Sequence, residues 1–118
     1  MLRRPDAGVL GALLAALPVT RYVVEGASME PAYRDGDRLL VNRLAYVLRQ
    51  PRPGDVVVLR DPERPGHYLL KRIASPPDRG PGRGRVYVLG DNAPASRDSR
   101  SFGAVRRSAI IGKAWLRY

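Results

Sequence analysis

The chain has 118 residues, the length of one domain, and carries a formal net charge of +10. It contains no cysteine and a single histidine, His67, so thiol catalysis and the usual zinc and iron–sulfur sites lack their ligands, and we expect no metal and no cofactor. The arginines are spread from Arg3 to Arg117, without an evident platform of stacking aromatics. This pattern favours a solvated basic surface, and we expect no nucleic-acid partner.

The only long apolar stretch of the sequence runs from Ala7 to Val19 and follows Arg3 and Arg4. As a helix its 13 residues would rise about 20 Å, against roughly 30 Å of hydrocarbon in a bilayer. We predict a short membrane anchor, with Arg3 and Arg4 on the cytoplasmic side if it spans; the alternative is an apolar helix packed on the domain. Residues 1–21 are thus expected to form an N-terminal segment ahead of a domain at 22–118.

From Tyr22 onward, short β-type runs alternate with clusters of Gly, Pro and Asp. The predicted strands are Tyr22–Glu25, Arg38–Arg43, Val56–Arg60, His67–Ala74, Val86–Leu89 and Ile110–Leu116. Leu44–Gln50 is predicted to form a helical turn. The sequence therefore indicates an all-β domain with a small, strongly curved sheet or a partial barrel.

A serine, Ser28, lies in the segment Gly26 to Pro31 that follows the first of these strands, between small residues and a proline. A constrained turn of this kind would expose its hydroxyl to a substrate. Serine is a weak nucleophile unless a base lies beside it, and from the sequence alone the capping of a turn is the simpler explanation of Ser28.

The best candidate for such a base is Lys71, one of only two lysines in this arginine-rich chain. On the predicted strand His67–Ala74 it shares a face with Leu69 and Ile73. Burial between apolar groups lowers the pKa of an amine, as a neutral base requires, whereas a lysine that reaches solvent at the sheet edge stays charged. Nothing near His67 in the sequence suggests a catalytic role for it.

A polar loop follows the predicted strand Val86–Leu89. It runs from Gly90 to Gly103 and reads GDNAPASRDSRSFG. It has too few apolar residues to form an element of its own, so its own hydrogen bonds and ion pairs must hold it together. Asp98 and Arg100 are the natural pair.

Taken in order, three boxes of this sequence resemble the type I signal peptidase family of Ser/Lys serine peptidases. They are Ser28-Met29-Glu30-Pro31, Lys71-Arg72 and the loop Gly90 to Gly103. The resemblance covers about Val23 to the C-terminus. The compact chain, with only Ala74 to Arg85 between the second and third boxes, looks most like the small nickel-type superoxide dismutase maturation proteases.

The resemblance implies a role for each matching residue. Ser28 would attack the scissile carbonyl and its backbone amide would meet the oxyanion, Lys71 would act as general base, and Ser96 would orient the lysine amine. The remaining implied residues support the site loop (Asp98, Arg100, Gly90, Asp91) or flank an added substrate strand (Glu25, Gly26, Ala27, Tyr68, Leu69, Leu70).

The implied function is a serine endopeptidase that removes an N-terminal signal or leader peptide from a precursor protein, cutting after a small residue. The implied location is a membrane-associated protein with an extracytoplasmic catalytic domain, a cytoplasmic location being the alternative. Two other functions stay open at this stage: a self-cleaving regulatory domain of the repressor type, and a non-catalytic basic β-domain that binds nucleic acid.

Overall fold

The computed structural model describes residues 1–5, 8, 17–75 and 84–118. Its strands are β1 (Leu2–Arg3), β2 (Val19–Val24), β3 (Arg38–Asn42), β4 (Val56–Arg60), β5 (Tyr68–Ser75), β6 (Arg85–Leu89), β7 (Val105–Arg106) and β8 (Ile110–Arg117). A one-turn α-helix, α1 (Ser99–Phe102), and two 3-10 turns, Ala93–Ala95 and Arg107–Ala109, complete the elements of the described residues. The helix and the first of these turns lie in the loop Gly90 to Gly103, so the expectation that this loop forms no element of its own is wrong.

The strands form one sheet in the order β1-β2-β3-β8-β4-β5-β6-β7. β1 also pairs with β5, at Leu2 opposite Tyr68, and this pairing closes the first six strands of the order into a barrel. β6 and β7 extend the sheet beyond β5. Because β1 is antiparallel to both β2 and β5, the strand that leads to Ser28 and the strand that carries Lys71 run in the same direction.

The predicted all-β fold is confirmed, and the six predicted strands are present with ends that differ by at most three residues. The two-residue strands β1 and β7 were not predicted, because two residues show no periodicity. At Leu44–Gln50, where a helical turn was predicted, the structure has hydrogen-bonded turns and no regular helix: the Val47 amide donates to the Leu44 carbonyl at 3.2 Å, and the Asn42 side chain accepts from the Leu44 amide. The predicted apolar helix falls mostly on residues 6, 7 and 9–16, which lie outside the described residues.

Alternation along the strands separates two apolar cores, one inside the barrel and one on its outer face. On β4, Val56 and Val58 belong to the inner core, whereas Val57 and Leu59 belong to the outer core that β6 and β7 cover. On β5, Leu70 packs inward, while Leu69 and Ile73 pack in the outer core. β5 is therefore buried on both faces. In the parts of the chain listed above, no helix is long and apolar enough to cross a bilayer.

Candidate active site

The loop that carries Ser28 is anchored on both sides of the serine. Before it, the Gly26 amide donates to Asp35 Oδ1 at 2.8 Å. After it, Met29 is only 1% exposed and packs in the inner core, and its carbonyl accepts from the Tyr33 amide at 2.9 Å. Ser28 itself is half-buried. The burial of Met29 in the inner core thus fixes the neighbouring Ser28 at the rim of the barrel.

The start of the polar loop holds the other side of the Ser28 loop. The Asn92 amide donates to the Ser28 carbonyl at 2.9 Å, and Asn92 Nδ2 donates to the Ala27 carbonyl at 3.0 Å. Gly90 lies against the same carbonyl: a Cβ at this position would be 2.8 Å from Ser28 O and 2.0 Å from Ser96 Oγ. Only glycine lets the two segments approach this closely.

Arg72 connects the Lys-Arg box to the polar loop. Its Nε donates to Asp91 Oδ1 at 2.9 Å and its Nη2 to Asp91 Oδ2 at 2.8 Å, while Nη1 donates to the Gly54 carbonyl. Such a bidentate pair fixes orientation as well as distance. The sequence reasoning had no role for Arg72 and no partner for Asp91. Strand alternation did show that residue 72 points to the opposite face of β5 from Lys71. A separate partner for Arg72 could have been expected on that ground.

Lys71 is buried, with 2% of its surface exposed, and lies opposite Val57 of β4. As the alternation predicts, it shares its face of β5 with Leu69 and Ile73, which pack in the outer core. Burial lowers the pKa of the Lys71 amine to about 8, the charge of Asp98 opposes this change, and Arg97 adds to it. About a tenth of the amine is therefore neutral at pH 7.

Asp98 is the hydrogen-bonding centre of the polar loop. This carboxylate is 1% exposed and accepts from the Gly90 amide, from Ser96 Oγ at 2.8 Å and from Arg100 Nε at 2.9 Å. It also caps the helix α1 by accepting from the Arg100 amide. Burial alone would raise its pKa, but the bonds from Arg100, Gly90 and Ser96 outweigh burial and hold the pKa of Asp98 well below its usual range.

Ser28 and Lys71 line the same open cleft, whose volume is about 150 Å³. The other residues around it are Met1, Asp61, Arg64, Leu69, Ala95 and Arg97. Arg97 bridges the cleft wall by pairing with Asp61 and, at 2.6 Å, with Glu63. Ser96 follows the cleft residue Ala95, and its hydroxyl donates to Asp98. His67 is not among the residues that line the cleft.

The residues expected beside a substrate strand flank a gap in the sheet. β4 pairs with one edge of β5 along Tyr68–Arg72. On the other edge, β1 pairs at Tyr68 and β6 pairs from Arg72 onward, so among the described strands none pairs with residues 69–71 there. On the facing side, the Glu25 amide already donates to the Met1 carbonyl, and Gly26 and Ala27 continue toward Ser28. β1 thus occupies one end of the position expected for substrate.

The close contact of Gly90 predicts that Gly90→Ala lowers the free energy of unfolding by about 2–3 kcal/mol, since the methyl group has no space. Gly66→Ala is the matched control, because a Cβ there meets nothing within 4 Å. Its positive φ alone should cost about 1 kcal/mol. Urea unfolding measures both. If Gly90→Ala is no less stable than Gly66→Ala, the contact is not as described.

The buried amine predicts that Lys71→Met is more stable than the parent protein by about 1–3 kcal/mol at pH 7. The folded pKa of Lys71 lies below the unfolded value, so the parent protein gains stability as the pH rises from about 8 to 10.5. The advantage of the variant should therefore shrink over that window. Urea unfolding at pH 7 and pH 10 tests this, with Lys113→Met as the partly exposed control. A Lys71→Met protein that is less stable than the parent at pH 7 would contradict the prediction.

Comparisons with known proteins identify the family of the chain. A family model described as signal peptidase, peptidase S26, matches residues 7–79 and 82–118. Subunit 1a of the mitochondrial ATP-independent inner membrane protease of Arabidopsis thaliana is 35% identical over 136 aligned residues, covering 95% of this chain and 81% of the relative. Signal peptidase I of Bacillus caldolyticus is 29% identical, covering 91% of this chain and 83% of the relative. Signal peptidase IB of Staphylococcus aureus is 27% identical, covering 85% of this chain and 78% of the relative. With most of its length matched, the chain belongs to the signal peptidase family S26 of serine endopeptidases.

Proposed function

We propose that this serine endopeptidase removes N-terminal leader peptides from precursor proteins, with Ser28 as the nucleophile and Lys71 as the general base. One observation carries the proposal: a serine hydroxyl and a buried amine of lowered pKa line the same cleft. Family membership favours this function over a self-cleaving repressor-type domain and over a nucleic-acid-binding domain.

In the proposed reaction the neutral Lys71 amine takes the proton of Ser28 Oγ as that oxygen bonds to the scissile carbonyl carbon. The Ser28 backbone amide donates to the oxyanion that forms. When the carbon–nitrogen bond breaks, the Lys71 ammonium returns the proton to the leaving amine. Water then hydrolyses the acyl-enzyme, with Lys71 again as base. Gly26, two residues before the nucleophile, has no hydroxyl to add to the oxyanion site.

The proposed orienting groups act on Lys71 through the polar loop. The Ser96 hydroxyl donates its hydrogen bond to Asp98, so the lone pairs of its oxygen remain to accept from the lysine amine. Arg100 and Gly90 fix Asp98, and Asp91 ties the loop to β5 through Arg72. These residues position the base without touching substrate.

The proposed substrate lies extended in the gap between Gly26–Ala27 and Leu69–Leu70. The edge of residues 69–71 supports this: no described strand pairs with it, so an added strand would find hydrogen-bonding groups there. β1 ends the gap at Tyr68, so only a short stretch of substrate pairs with the sheet. A gap this short, beside a cleft of about 150 Å³, fits small side chains next to the cut.

We place the protein at a membrane, with the catalytic domain on the extracytoplasmic side as the preferred orientation and a cytoplasmic location as the alternative. The support comes from the relatives, one of which is an inner membrane protease subunit. The apolar run Ala7–Val19 is consistent with this location.

Incubation with leader-bearing precursors tests the function directly. One set should carry secretory leaders, and a second should be precursors of nickel-type superoxide dismutase, which the sub-type resemblance suggests. A new N-terminus after a small residue, located by mass spectrometry and absent with Ser28→Ala, is the expected result. No cleavage in either set by the folded protein would contradict leader removal.

The mechanism predicts that Ser28→Ala, Lys71→Ala and Lys71→Arg each lower kcat/KM by about 1,000-fold or more, because arginine keeps its proton near neutral pH. Lys113→Arg is the matched control, since it makes the same exchange at the other lysine. It should keep nearly full activity, as should His67→Ala. In the parent enzyme kcat/KM should rise with pH and level off above about 8, as Lys71 loses its proton.

Two outcomes would show that the base is assigned wrongly. One is a Lys71→Arg enzyme that cleaves near the parent rate. The other is a His67→Ala enzyme that is inactive although circular dichroism shows it folded.

A further inference from the structure

A buried carboxylate that the proposed reaction does not use lines the cleft of Ser28 and Lys71. It belongs to Asp61, the first residue after β4, whose side chain is only 1% exposed. The Asp61 amide donates to the His67 carbonyl at 2.9 Å, and this bond closes the turn between β4 and β5. A charged group buried in this way needs a partner, because water does not solvate it.

Arg97 is that partner, and it reaches Asp61 from the polar loop. Its Nη2 donates to Asp61 Oδ2, and its Nη1 donates to Glu63 Oε1 at 2.6 Å. The Arg97 guanidinium also lies 5.6 Å from the centre of the Phe102 ring. The second oxygen of the carboxylate, Asp61 Oδ1, accepts from the Glu63 amide at 2.9 Å. Each oxygen of Asp61 thus has a partner other than the lysine.

The Asp61 carboxylate is charged at neutral pH. Burial alone would raise its pKa, but the hydrogen bonds from Arg97 and from the Glu63 amide outweigh burial and lower the pKa. Of the cationic side chains that line the cleft, Arg64 is exposed to water, whereas Lys71 is buried. Without Arg97, the buried carboxylate would therefore find its counter-ion in the Lys71 ammonium.

Several charges around Lys71 decide whether its amine is neutral. Burial lowers the pKa of the amine to about 8, and the carboxylates around it favour the ammonium while the cations oppose it. These groups come from the polar loop, the turn after β4 and the N-terminal end of β1: Asp98, Asp61, Arg97, Arg100 and the Met1 amine. Arg97 opposes the ammonium in two ways, through its own charge and by engaging Asp61.

We propose that Arg97 is a positioning residue for the general base: it binds Asp61 and so keeps this carboxylate from pairing with the Lys71 amine. This role rests on the proposed function, in which Lys71 takes the proton of Ser28. Arg97 does not touch substrate in this role. It adjoins Ser96 in the sequence, so one segment of the polar loop both orients the amine and removes a competing carboxylate.

Substitutions at the two ends of the Arg97–Asp61 pair should move the titration of Lys71 in opposite directions. Arg97→Gln frees Asp61 and removes a cation, so the midpoint should rise by about one pH unit or more. Asp61→Asn removes the carboxylate and leaves the cation, so the midpoint should fall. In Arg97→Gln/Asp61→Asn both charges are absent, and the midpoint should return to within about half a unit of the parent. Loss of a merely structural bridge would instead admit water to the amine and raise the midpoint in both single variants.

NMR follows this titration without any cleavage. Lys71 and Lys113 are the only lysines of the chain, so protein labelled at the lysine side chains gives two signals, which Lys113→Arg assigns. Arg60→Gln is the matched control, because it removes the same charge from an exposed residue next to Asp61 in the sequence. Arg60 is not among the described residues that line the cleft, and its loss should move the Lys71 midpoint by less than about 0.3 unit.

The peptidase assay should follow the same order. Arg97→Gln should lose about ten-fold in kcat/KM at pH 7 and approach the parent near pH 10, where Lys71 is neutral in both proteins. Shifted titrations without cleavage by the parent would support the competition for Asp61 and contradict only the proposed function. An unchanged Lys71 midpoint in Arg97→Gln, or a raised midpoint in Asp61→Asn, would overturn the role of Arg97. Should Arg97→Gln fail to fold, the direction of the change in Asp61→Asn decides.

Discussion

The burial of one amine is the constraint on which the site depends. The outer face of β5 places Lys71 in line with Leu69 and Ile73, where an apolar side chain would otherwise lie. A charged amine at this place costs stability, and the protein offsets part of that cost with the Asp98 carboxylate. Asp98 in turn stays charged because Arg100, Gly90 and Ser96 bind it. The lysine and the polar loop are thus one electrostatic unit.

The polar loop Gly90 to Gly103 also fixes the position of Ser28. Asn92 binds the carbonyls of Ala27 and Ser28, and Gly90 lies directly against the latter. Arg72 then ties Asp91 to β5, the strand that carries Lys71. The relative position of the serine and the lysine is therefore set by a third segment.

Local patterns made a large part of this site predictable. The alternation on β5 was enough to place Lys71 between Leu69 and Ile73, and the short separation of Asp98 and Arg100 was enough to expect their pair. The contacts that were missed join distant positions: 19 residues separate Arg72 from Asp91, and 65 separate Asn92 from Ala27. Such pairs depend on how the barrel closes, which short-range periodicity does not encode. β1 could not be predicted for the same reason. Its two residues follow no pattern and form a strand only by pairing with β2 and β5.

Closure of the barrel by β1 has a consequence for how the protein folds. The β4–β5 and β2–β3 hairpins join residues close in sequence, so the loss of chain entropy on forming them is small. Leu2, in contrast, pairs with Tyr68 and needs both β2 and β5 already in place. Ser28 follows β2 and Lys71 lies on β5, so the pairing of β1 with both strands joins the two segments that carry them. We expect a partly folded barrel in which β1 is unpaired to keep its hairpins but to hold Ser28 and Lys71 less firmly together, because the link between β2 and β5 through β1 is then absent.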